Sequence, residues 1–199
     1  MNQDREAEKM MIKARIGMLR EHPFWGTLAL RMPLVERHDL PFKTLATDGE
    51  FFYYDPAWVR ANPHPVRMSS VAHEVGHCMY QHMSRLGSRE PRRWNSAGDY
   101  VINAVLKDSG FTIPDHWLHD RKFAGMTTDQ VYSLLPDDPG RFAFDAIMTP
   151  GGGSGKAKPA PSEVEALVQG WAVAVVQAAN SARKAGKLPS AVERLIAEL

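Results

Sequence analysis

The sequence has a single cysteine, Cys78, so no internal disulfide can form and a small disulfide-stapled scaffold is excluded. It also lacks any apolar run near the roughly 20 residues that a helix needs to cross a bilayer, so no membrane partner is expected. Charge of one sign is missing too. The 24 Lys and Arg are balanced by 23 Asp and Glu, leaving +1 and no global field to gather nucleic acid or an anionic surface. Nucleic acid is therefore not an expected partner. The first residues, Met1 to Lys9, are charged and lead into no apolar segment with a small-residue cleavage site, so the expected compartment is the cytoplasm. What remains is 199 residues, 44% hydrophobic and 24% charged, enough to bury one good core.

Ala7, Met10, Met11, Ala14, Ile16 and Leu19 recur at helical spacing, which predicts an amphipathic helix from Asp4 to about Glu21, ended at His22-Pro23. Phe24 to Val35, apolar but interrupted by Gly26 and Pro33, reads as a strand entered through a turn. Thr44 to Thr47, the Asp48-Gly49 pair and Glu50 to Tyr54 read as a β-hairpin with a two-residue turn. Asp55-Pro56 opens a short helix ended by Pro63 and Pro65. A longer helix begins near Ser69 and Ser70 and runs to about Arg85, with Gly87 as its stop. Trp94 to about Asp108 forms another, closed by Gly110, and 111–139 reads as loop with a short helix at Thr128 to Leu135. Pro150 to Pro159 is rich in Gly and Pro and reads as a linker; a phosphate loop is excluded because Pro150 and Ala157 stand where Gly and Ser/Thr are required. The expected organisation is an α+β domain at 1–145, a flexible linker at 146–161 and a helical extension at 162–199.

The chemistry concentrates at His73-Glu74-Val75-Gly76-His77. Four residues apart on a helix, the two imidazoles share a face and can hold one tetrahedral zinc, while Glu74 sits one residue round, beside the metal. Zinc lowers the pKa of water in its open position, and Glu74 is placed to take the proton, which predicts hydrolysis by a metal-activated water. This five-residue pattern also arises by chance on ordinary helices. The neighbours Val71, Ala72, Val75 and Met79 favour the metal, because two buried histidines and a carboxylate without one are costly to desolvate. Gly76 leaves room for a close neighbour, and Cys78 is read as core.

A catalytic zinc requires a third protein ligand. His82, five residues past His77 with no intervening glycine, turns away from the shared face if the helix continues. On the next helix Asn95, Asp99 and Asn103 form a polar stripe among Trp94, Ala97, Val101, Ile102 and Val105, with Asp99 at its centre. A buried Asn/Asp network explains Asn95 and Asn103 equally well and Asp99 less well. His116 and His119 are either ligands, oxyanion donors or surface residues, and Glu163 and Glu165 look like first-turn charges favoured by the helix dipole.

These residues resemble a family of bacterial and phage metallopeptidase domains, often followed by a von Willebrand factor A-like domain. The resemblance rests on Pro23-Phe24 with Gly26 and Leu28, Ala46 to Gly49, the His73 to His77 motif with His82, Arg85 and Arg89, and Trp94 to Tyr100 with Asn103. It continues through Gly110-Phe111, Pro114 and Phe123 to Met126. It implies a zincin-like fold, with Asp99 the third zinc ligand and a peptide or protein as substrate. Tyr54, Tyr100, Asn95, Asn103, Arg85, Arg89 and His116 are the candidate substrate or transition-state contacts, and the hairpin ending at Tyr54 is the candidate edge for an added peptide strand. The alternative is a catalytically silent zinc-binding scaffold that works with a partner ATPase or an A-like domain.

Overall fold

A computed structural model describes residues 3–40, 43–137 and 159–197. Of the linker read at 146–161, residues 146–158 lie outside the described residues.

The amino-terminal helix α1 (Arg5–Glu21) starts where Asp4 accepts from the amide of Ala7, and buries Ala7, Met11, Ala14 and Met18 on one face. At His22-Pro23 the chain turns directly into a second helix, α2 (Pro23–Ala29), where a strand was expected. Pro23 fits the first helical turn, which needs no amide donor. Gly26 is there for contact: a Cβ on it would lie 2.4 Å from backbone atoms of Leu19, so the missing side chain lets α2 close onto α1.

Strand β1 (Leu34–Glu36) follows, then β2 (Leu45–Thr47) and β3 (Phe52–Tyr54). β2 and β3 pair antiparallel as the expected hairpin, with Leu45 opposite Tyr54 and Thr47 opposite Phe52. The connection spans 48–51 and is longer than a two-residue turn. The buried Asp48 carboxylate organises it, accepting from the amides of Glu50 and Phe51 and from the Tyr53 hydroxyl at 3.0, 2.8 and 2.7 Å. β1 pairs parallel to β3, so the sheet order is β1-β3-β2 and Tyr54 lies on the central strand, not on an edge.

α3 (Pro56–Ala61) is capped by Asp55, as its sequence predicts. α4 begins earlier than expected, spans His64–Met79, and is buried along almost all of its second half. It stops at Tyr80, because Gln81 takes a left-handed conformation at φ 58°. A single turn, α5 (His82–Arg85), follows the break, and Arg85 donates back to the carbonyl of Tyr80 at 3.1 Å. α6 (Pro91–Asp108) packs against α4, and α7 (Thr128–Leu134) packs on α6 behind a Thr127/Gln130 capping box.

The two carboxyl-terminal helices, α8 (Pro161–Lys184) and α9 (Ser190–Ala197), join the same hydrophobic core as α1, α2 and α4 through Trp171, Val175, Ala178, Ala182 and Val192. The Trp171 indole donates to the carbonyl of Gly49 at 2.9 Å, tying α8 to the hairpin turn. The described residues thus make a mostly helical α+β protein with a three-stranded sheet. Among them, no helix is long and apolar enough to cross a membrane.

Candidate metal centre

Helix α4 carries His73, Glu74 and His77, and α6 brings Asp99 to them. Close packing of these two helices depends on Gly76, where a Cβ would sit 2.7 Å from Cγ2 and 2.9 Å from Cγ1 of Ile102. The expectation that Gly76 admits a close neighbour holds, and that neighbour is on α6. The Nε2 atoms of His73 and His77 are 3.0 Å apart, and Oδ1 of Asp99 lies 3.4 and 3.3 Å from them. A tetrahedral ion with bonds of about 2.0–2.2 Å holds its ligands roughly 3.3–3.6 Å apart; both Asp99 distances fall in that range, and the two imidazole nitrogens, at 3.0 Å, need only move apart by a few tenths of an ångström to reach it. The three residues form a His-His-Asp group able to hold a metal ion.

The hydrogen-bond partners show which lone pairs face inward. Asn103, one turn beyond Asp99, donates its amide to the carbonyl of Leu118 at 2.9 Å, which leaves its Oδ1 against Nδ1 of His73 at 2.8 Å. That oxygen can only accept, so His73 carries its proton on Nδ1, and a neutral ring then presents a bare Nε2 to the cluster. Oδ1 of Asp99 is buried and has no hydrogen-bond donor among the described residues. A buried carboxylate oxygen beside a bare imidazole nitrogen is unfavourable unless a proton or a metal ion lies between them.

All four motif groups are enclosed: His73, Glu74 and Asp99 are 1% exposed and His77 2%. Trp117, itself buried, covers His73 with ring centroids 5.2 Å apart, and Leu118 is buried beside it in sequence. The loop after α6 therefore roofs the centre.

The remaining candidates are distributed more widely. Asn95 is buried on α6 one turn before Asp99, and Asn103 is the partner of His73. Arg85 and Arg89 both pair with Asp129 of α7, the latter at 2.7 Å, and both guanidinium groups lie over the Trp94 ring. They hold α5, α6 and α7 together. Tyr54 is in the main core, with burial raising its phenol pKa, while Tyr100 packs on Phe123 in a smaller cluster. His116 is exposed on the loop, and the half-buried His119 has its pKa lowered by burial. Cys78 is core, as read from the sequence, and burial raises its thiol far above the usual range. Glu163 and Glu165 lie in the first turns of α8, where Glu163 bonds the amide of Ala160.

Sequence reasoning missed His82. The break at Gln81 returns it behind His77, where Nδ1 of one ring is 3.0 Å from Nδ1 of the other, and its Nε2 is 2.9 Å from the Thr128 hydroxyl. It also missed Thr128, Trp117 and the Leu118 carbonyl, which reach the centre from segments with no motif of their own.

The fold and the site together define an α+β protein with a His-His-Asp group, able to hold a metal ion, shared between two packed helices. The chain belongs to the family described as "Putative metallopeptidase domain", whose match extends over residues 6–199. No match reaches significance among the curated proteins or among the solved structures.

Proposed function

We propose that this chain is a zinc-dependent, zincin-like peptidase acting on peptides or proteins in the cytoplasm, with His73, His77 and Asp99 as metal ligands and Glu74 as general base. The observation that carries the reading is the convergence of two imidazole nitrogens and the orphaned Asp99 oxygen on one point, with Glu74 next to His73 on the same helix. Membership of a metallopeptidase family supports the reaction class.

Zinc held there would act as a Lewis acid toward a peptide carbonyl and acidify water in its open position. Glu74 takes a proton from the attacking water on its carboxylate as the water oxygen bonds to the carbonyl carbon. It returns that proton to the amide nitrogen as the C–N bond breaks, so the leaving amine departs neutral. Asn103 holds the His73 ring in one tautomer throughout. Burial of the Glu74 carboxylate keeps competing water away from it.

Enclosure favours a second reading, because His73, Glu74, His77 and Asp99, at 1–2% exposed, present no surface to a peptide. In that reading the centre stabilises a scaffold for a partner ATPase or A-like domain. Glu74→Gln separates the two. A variant that retains zinc and loses peptide hydrolysis supports the peptidase; unchanged biological activity of the variant supports the scaffold.

A further inference from the structure

We infer that His82, set by Thr128, is the positioning residue that fixes His77 for metal binding. The inference rests on the metal-centre reading above. His82 lies outside the ligand triangle, yet its ring spans the gap between His77 and α7, with Nδ1 toward His77 and Nε2 toward Thr128. His77, His82 and Thr128 are 2%, 0% and 2% exposed, so bulk water does not compete for these contacts.

Two ring nitrogens facing each other at 3.0 Å share one proton, and its position decides what His77 can do. To give its Nε2 lone pair to a cation, a neutral His77 must carry its proton on Nδ1. That N–H then donates to Nδ1 of His82, which has to be bare. The proton of His82 is therefore on Nε2, where it donates to the Thr128 hydroxyl. With a cation on Nε2 of His77, one tautomer at each ring satisfies the whole chain; without one, the reversed proton order satisfies it too, so cation binding and the His82 tautomer select each other. A carbonyl or carboxylate behind His77 could only accept and would fix the tautomer alone. A histidine there can donate as well, so its accepting nitrogen has to be turned toward His77 by a second partner, and Thr128 is that partner.

The surrounding structure holds this arrangement at identifiable cost. Gln81 adopts a left-handed backbone at φ 58°, which reverses the chain and swings His82 back against α4. The Trp94 indole donates to the His82 carbonyl at 2.8 Å. Gly98 provides the space, since a Cβ there would lie 2.6 Å from Nδ1 and Cε1 of the His82 ring. Thr128 is located by its neighbour Asp129, which Arg85 and Arg89 grip. The two arginines read from the sequence as substrate contacts thus act at a distance from His77, through Asp129, Thr128 and His82.

The test uses the full chain, stripped of metal and titrated with zinc against a chromophoric chelator, with unfolding of each metal-free protein measured in parallel. His82→Leu is expected to weaken zinc binding by about 10–100-fold. His82→Gln, whose side-chain carbonyl can accept and whose amide can donate, recovers most of that loss. Zinc affinity of His82→Leu equal to wild type overturns the inference. Should His82→Leu fail to fold, the tautomers are read from wild type: long-range 1H–15N spectra of the zinc-loaded protein place protons on Nδ1 of His77 and Nε2 of His82. A proton on Nδ1 of His82 overturns the assignment. Wild type that takes up no zinc, or variants His73→Ala and Asp99→Ala that bind as tightly as wild type, overturn the metal-centre reading and this inference together. Intact wild-type binding with an unaffected His82→Leu overturns this inference alone.

Discussion

Asp99→Asn should stabilise the metal-free protein and destabilise the zinc-loaded one. Oδ1 of Asp99 is buried, has no donor among the described residues, and lies 3.4 and 3.3 Å from two imidazole nitrogens, of which that on His73 is bare. Leaving a buried polar group unsatisfied costs about 1–3 kcal/mol, and more for a charged one. Asparagine keeps the shape, removes the charge and offers an amide that can donate to Nε2 of His73. In chelator the variant should therefore be more stable by about 1–3 kcal/mol, each kcal/mol being worth roughly 2–4 °C in melting temperature for a chain of this size. In zinc at 1,000 times its dissociation constant, wild type gains about 4.1 kcal/mol by linkage. The variant loses most of this gain because a neutral amide is a poor ligand, so the order of stability inverts between the two conditions. Differential scanning calorimetry in chelator and in zinc reads both. A variant less stable than wild type in chelator, or equally stabilised by zinc, would refute the reasoning.

Gly76→Ala brings a methyl to 2.7 Å from Ile102 and pushes α6 outward with Asp99. The overpacking costs about 1–3 kcal/mol, of which about 1 is offset by the better helix propensity of alanine. Zinc affinity should fall, and Ile102→Ala in the same chain should cost less than the two single changes summed; a zero coupling in denaturant melts speaks against the contact. Trp117→Ala removes the ring over His73, so zinc should pass to a chelator faster in stopped-flow measurements, and an unchanged release rate would show that the loop does not guard the centre. His22 has its pKa lowered from 6.5, first by burial, while its ring stacks on Phe111 at 3.9 Å. The unfolded state then binds the proton more readily, so stability is unaffected above pH 6.5 and declines as pH falls below it. His22→Gln should flatten that decline relative to wild type in urea melts of the metal-free protein, and a parallel slope would contradict it.

Local rules made part of this protein legible. Asp4 and Asp55 announce helix starts, the apolar spacing of α1 and α6 shows their buried faces, and the four-residue spacing of His73 and His77 shows a shared ligand face. Asp99 was visible as a polar residue on an apolar helix. The misreadings have a common cause, which is that long-range contact decided the local structure. Gly26 looked like a helix breaker, yet it is the contact point of α2 with Leu19. Gln81 carries no turn signal, since a left-handed residue without a glycine costs about 1–2 kcal/mol and is held by its surroundings. That single residue decides whether His82 points to solvent or to His77. Of the hairpin read as the candidate edge, β2 is at the edge while β3 with Tyr54 is inside, because its parallel partner β1 is a short segment with no hairpin to announce it.

Seen from the packing outward, the centre is held at three depths. Gly76 sets the distance between α4 and α6, and so the spacing of the three candidate ligand atoms. Asn103 and His82 then fix the two imidazoles from behind, one anchored to the Leu118 carbonyl and the other to Thr128. Beyond them, Arg85, Arg89 and Asp129 clamp α7, while the same stretch of loop that supplies Leu118 also supplies the Trp117 roof. Any displacement of that loop large enough to admit a peptide therefore also moves the carbonyl on which Asn103 leans. Access to the centre and orientation of His73 are coupled through one side-chain amide, so a bound substrate that lifts Trp117 must itself restore what Leu118 supplies, or Asn103 must follow the loop while keeping its oxygen on Nδ1.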